Sequence, residues 1–153
     1  MDQRVAILLH VLAVVVWVGG MFFAYMALRP AAVQTLEPPR RLPLWVATFT
    51  RFFPWVWLSV AALLASGLYL IAAHGGFAVV GKYIHAMLAM GILMMLIFGH
   101  VYFAGFKRLK RGVAAQDWKA AGAALATIRL LIGINLSLGL ITIFVAILGK
   151  TPF

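Results

Sequence analysis

"LLHVLAVVVWVGGMFF", residues 8–23, is apolar from end to end except for His10. A helix needs about 20 such residues to cross the hydrocarbon of a bilayer, and the apolar run continues on both sides of the quoted stretch, over roughly residues 5–28. The rest of the chain repeats the pattern. Of 153 residues, 65% are hydrophobic and only 10% charged, too little polar surface to cover a water-soluble core. The reading is an all-α integral membrane protein.

Three further runs reach the required length, near 53–73, 80–106 and 129–149. Four spans joined by short connections make one domain over 1–153, a four-helix bundle. No cleavage pattern of small residues follows the first span before Arg29 and Pro30, so it is expected to stay in the mature protein. The first connection holds "LEPPRRLPLW" (36–45), whose prolines should forbid one continuous helix. There "LWVATFT" (44–50) would lie in the interface with Trp45 as an anchor. The second, "GVAAQDWKAAGAALATI" (112–128), is Ala-rich and should be helical, extending the fourth span or lying on the membrane surface.

The net charge of +10 would suggest nucleic acid in a soluble chain. Here the basic residues stand between apolar runs, so they set topology, and nucleic-acid binding is not expected. Residues 29–51 and 107–129 carry ten of the thirteen Lys and Arg, leaving Arg4, Lys82 and Lys150 for the other side. That bias puts both basic connections in the cytoplasm and both termini in the periplasm of a bacterial-type inner membrane. With no Cys, disulfides, thiolate metal sites and a Cys nucleophile are excluded.

The histidines then take their depths. His10 and His85 each come about five residues into a span that starts outside, so at ~1.5 Å per residue both rings lie roughly 5–10 Å below the outer hydrocarbon edge. His74, in "AAHGGF" (72–77), sits at the outer end of the second span. His100 follows His85 by fifteen residues, about 22 Å deeper and on approximately the same face. An ionisable group inside a span marks a function or a partner in the bundle, and facing helices build cofactor and metal sites from inward side chains. His10 and His85 are therefore candidates for a shared ligand, with a helix-to-helix hydrogen bond as the plain alternative. His100 has no partner at its depth and is read as structural.

Trp17 lies seven residues after His10 on nearly the same face, and Gly19, Gly20, Ala89 and Gly91 leave room for a flat aromatic group or for tight helix packing. Neutral imidazoles are good axial ligands of haem iron, and two of them leave no open position, which favours electron transfer. A competing reading starts from Met87, Met90, Met94 and Met95 on the third span with Met21 and Met26 on the first, because thioethers suit copper(I). Methionines at helical spacing also serve packing. Asn135, Ser137, Ser59 and Ser66 are expected to hydrogen-bond between helices or to carbonyls. No Asp or Glu lies inside a span, which disfavours a transporter or hydrolase built on a buried carboxylate.

Taken in order, "LHVLAVVVWVGGMFF" (9–23), "RFFPWVWLSVAALLASGLYL" (51–70), "KYIHAMLAMGILMMLIFGHVYFAGFKRL" (82–109) and "RLLIGINLSLGLITIFVAI" (129–147) resemble the copper-resistance protein D family over nearly the whole chain. That family is similar in architecture to four-helix membrane cytochromes b and to J-type protoporphyrinogen oxidases. The resemblance implies a four-helix bundle with a first-span histidine facing a ligand on the third, here His10 and His85. The oxidases' His-x-Lys pattern is absent, since Met87 stands two residues after His85, which weighs against that activity.

The leading expectation is one haem b, held by His10 and His85 beside Trp17. It would serve a membrane oxidoreductase exchanging electrons with quinol or a periplasmic carrier, with His74 as a peripheral ligand or a gate for proton exchange. The alternative is copper handling by His10, His85 and methionines, with His74, His100 and Met94 as further candidate ligands. A third reading is a non-catalytic scaffold or accessory subunit. Small residues on the spans would also permit a homo-oligomer.

Overall fold

The computed structural model describes residues 2–150. Four long helices carry the fold: α1 (Gln3–Thr35), α2 (Pro38–Ala73), α3 (Lys82–Ala114) and α4 (Trp118–Leu148), each long and apolar enough to cross a membrane. At ~1.5 Å per residue they run about 45–55 Å, well beyond a hydrocarbon core of about 30 Å. Their ends therefore stand clear of the lipid tails.

Local chemistry sets the breaks. Asp2 caps α1 through Arg4 N, and Asp117 caps α4 through Ala120 N at 3.0 Å. Pro38 and Pro39 occupy the first turn of α2, where no amide donor is needed. The α2 end turns over Gly75 (φ 97°) and Gly76 (φ 89°), both left-handed, and Gly76 N–H closes on Ile71 O at 2.9 Å. Between α3 and α4 the turn passes through Gln116 (φ 53°).

The connections are short, as expected: α1 and α2 are separated only by residues 36–37, where the helix breaks just before Pro38, and α3 and α4 only by 115–117. One expectation is corrected. The stretch "LWVATFT" is not a separate interfacial piece, because α2 continues through Pro43 and Pro54. Pro43 comes early in the helix, and Pro54 is held by the buried neighbours Phe53 and Val56, so tertiary packing outweighs the lost backbone bonds. The Ala-rich second connection does extend the fourth span, as α4 begins at Trp118.

Helix α1 packs chiefly on α2, and α3 chiefly on α4; α4 also meets α1 and α2. α1 and α3 thus stand on a diagonal, bridged at mid-depth by Trp17 edge-on to Phe98 at 6.1 Å. The core is aromatic. Phe49 and Phe53 stack at 4.9 Å, and Phe53 meets Phe98 and Phe106 edge-on at 5.4 and 5.1 Å. Nearly all of this cluster belongs to the half of the bundle that holds the basic helix ends, since toward the histidine end the buried set thins to Ala6, Ala13, Ser66 and Ile71. Wide-pitch π turns interrupt α1 at Ala24–Leu28 and α3 at Val101–Phe106, both in the well-packed half.

Candidate functional site

His10 stands on α1, half-buried, and its Nδ1 lies 2.9 Å from Ser66 Oγ on α2. Ser66 is buried, and its hydroxyl donates to Ala62 O one turn back. With that proton committed, Ser66 Oγ accepts, so His10 Nδ1–H donates and Nε2 keeps its lone pair. The neighbouring Gly67 makes room for the ring: a Cβ there would sit 3.4 Å from His10 Cε1. A side chain on another helix thereby sets both the ring's orientation and its tautomer.

The other imidazoles at this end follow the same rule by local means. His74 is exposed and Nδ1–H donates to Leu70 O at 2.7 Å. His85 is exposed on α3, Nδ1–H donating to Gly81 O at 3.3 Å, with Phe77 at 6.2 Å ring to ring. A carbonyl can only accept, so in the neutral form of each ring Nε2 carries the lone pair. This is the arrangement that suits imidazole to a metal, with the far nitrogen anchored and the near one free to ligate. His100 is exposed near the middle of α3 and makes no hydrogen bond among the described residues, so the structural bond expected for it is not found.

The structure joins His10 to α2, not to His85, which stands on the diagonally placed α3. Neither of the two best-formed cavities among the described residues is lined by either ring. Nothing in this geometry supports the expected haem b between them. Trp17 is buried in the aromatic core on Phe98. Met94 is buried too, its Cε close to Gly139 and its carbonyl accepting from Asn135 Nδ2 at 3.1 Å. Met90 Sδ lies 3.7 Å from Thr142 Oγ1 across the α3–α4 contact, while that hydroxyl donates to Leu138 O at 2.7 Å. Asn135 Oδ1 is buried with no partner among the described residues, beside a void of about 20 Å³. No group of three His, Cys, Asp or Glu gathers among the described residues, so a metal here would be held by fewer imidazoles at a time, or by imidazole with thioether.

Gly67 is the residue that sequence reasoning passed over, and Ser66, expected to hydrogen-bond between helices or to a carbonyl, does both without having been paired with His10. Ser66 lies seven residues before the α2 end and His10 seven after the α1 start. Both are about 10 Å from the same end of the bundle. Depth matching applied to all polar residues, rather than to histidines alone, would have paired them.

A family model described as copper resistance protein D matches residues 46–148, about two thirds of the chain, from within α2 to the last residue of α4. No curated protein and no solved structure matches.

Proposed function

Since the chain belongs to the copper resistance protein D family, we propose that it handles copper as cargo at the inner membrane, meeting the ion at the histidine end of the bundle. His74 and His85 are the exposed first contacts, and His10, half-buried and oriented by Ser66, is the inner ligand. Imidazole is a borderline donor that accepts both copper oxidation states, and the thioethers of Met87 and Met90 on α3 favour copper(I) as the ion leaves the interface. The absence of any Asp or Glu within the spans fits a soft cation better than proton-coupled carboxylate chemistry.

The observation that carries this reading is the bond from His10 Nδ1–H to Ser66 Oγ. It orients an imidazole inside a span and leaves the other ring nitrogen without a hydrogen bond among the described residues, open to a metal. The test is copper(I) binding by the detergent-purified protein against a competing chelator, with copper accumulation measured in cells producing the same variants. His10→Ala and His85→Ala should each weaken binding at least tenfold and change accumulation. Unaltered binding and accumulation in both variants would refute the assignment. A Soret band in the purified protein, lost in both variants, would return the site to haem.

A further inference from the structure

A cavity with a volume of about 220 Å³ lies at the opposite end from the histidines. Three arginines from three helices line it: Arg29 of α1, Arg41 of α2 and Arg129 of α4. Arg29 and Arg41 are half-buried. No salt bridge within 4 Å joins any of the three to a carboxylate among the described residues, and the acids nearest in sequence are otherwise placed. Glu37 is exposed, and Asp117 is occupied in capping α4. Arg29 lies 5.3 Å from the Tyr25 ring centroid, and Arg41 Nη1–H reaches Leu36 O at 3.4 Å, so both guanidiniums are steered from one side and keep donors over.

Two helix starts add to the field. Pro38 opens α2 and Trp118 opens α4, and both residues line the same cavity, so the positive ends of two long helix dipoles converge on it. A topology signal needs basic residues only on one side of the membrane. It does not need three of them, far apart in sequence, to gather around one hollow.

The depth matches a headgroup. Arg29 follows His10 by nineteen residues, about 28 Å along α1 and close to a hydrocarbon thickness. The volume holds about seven waters at ~30 Å³ each, enough for a phosphate group with its ester oxygens and too little for a whole lipid. The inner wall is apolar, with Trp45 and Ile132, while Val33 and Ala126 open it toward the lipid side.

We propose that Arg29, Arg41 and Arg129 form a binding site for a phosphate-bearing anion, filled from the membrane by an anionic phospholipid headgroup or from the aqueous side by inorganic phosphate. Planar guanidiniums match phosphate oxygens in pairs, which a lysine cannot do.

The experiment measures the thermal shift of the full-length detergent-purified protein on adding phosphatidylglycerol, phosphatidylcholine or inorganic phosphate, with native mass spectrometry counting retained lipid. Stabilisation by phosphatidylglycerol alone identifies the lipid source; stabilisation by phosphate as well identifies an open anion site. Arg29→Gln/Arg41→Gln/Arg129→Gln should weaken the apparent affinity at least tenfold. The control Lys107→Gln/Arg108→Gln/Arg111→Gln removes equal charge from exposed positions at the same end and should change it less than twofold. Gly122→Leu guards against misfolded arginine variants. Gly122 lines the cavity, a Cβ there meets nothing within 4 Å, and the leucine fills the space with every charge intact. It too should abolish the shift. Equal stabilisation by phosphatidylcholine, an equal loss in the control, or an undiminished shift in Gly122→Leu would each overturn the site.

Discussion

Of the four imidazoles, His10 is the one whose orientation is enforced from another helix, and a single hydroxyl does it. Ser66→Ala removes the acceptor for Nδ1–H, so the ring can turn or change tautomer and lose its aim at the metal. Loss of an orienting partner typically costs 10–100-fold in metal affinity, and that is the drop expected for copper(I) in a chelator competition. Stability should move little, by about 1 kcal/mol or less, since the hydroxyl's other bond is back to its own helix at Ala62. An unchanged affinity would reduce Ser66 to packing. At this scale the sequence is only half legible. His10 and His85 stand out as costly groups at one depth, but the partner of His10 is a serine, and serines inside spans ordinarily bond to their own helix, as Ser59 does to Trp55 O. Nothing in residue type tells the two serines apart; only their facing does.

Among the elements, the spans were readable because twenty apolar residues have one stable environment, whereas their ends were not. Outside the hydrocarbon, periodicity and propensity compete with proline, and tertiary contact decides. The segment after Val101–Phe106 shows how: it carries Lys107, Arg108, Lys110 and Arg111 yet stays helical to Ala114, because Leu109 and Gly112 are buried against α4. At Gly112 backbone meets backbone, since a Cβ there would lie 2.8 Å from Ala121 N and 2.9 Å from Ala121 Cα. Backbone cannot yield as a flexible side chain can, and Asp117 N–H is tied to Gly112 O at 2.9 Å in the same turn. Gly112→Ala should therefore pry the α3–α4 hairpin apart, at a cost of about 1–3 kcal/mol. It should lower the midpoint of thermal unfolding in detergent. Gly99→Ala is the contrast: with nothing within 4 Å of the added Cβ, better helix propensity should hold or raise the midpoint. If both alanines behave alike, the hairpin contact is not the constraint.

For the whole molecule, a gradient runs along the bundle axis. Aromatic packing and the arginine cavity occupy one half, and the loosely packed imidazoles the other. Four crossings bring α1's start and α4's end to the same side, where Gly149 lies against Tyr83. Which compartment that side faces follows from charge: ten of thirteen basic residues belong to the segments around the other end, and Lys and Arg resist translocation. On that bias the histidines are expected to face the periplasm, where the proposed site would meet copper before it reaches the cytoplasm. The chain's lack of Cys makes this directly measurable. Ala78→Cys lies in the exposed turn after α2, and Ala115→Cys in the exposed turn between α3 and α4. A membrane-impermeant maleimide should label the first in intact spheroplasts and the second only after permeabilisation. The reverse pattern would turn the bundle over and make the imidazoles a cytoplasmic receiver. It would also move the arginine cavity to the outer leaflet, where free phosphate and lipid headgroups are different populations, so one labelling experiment orients both sites at once.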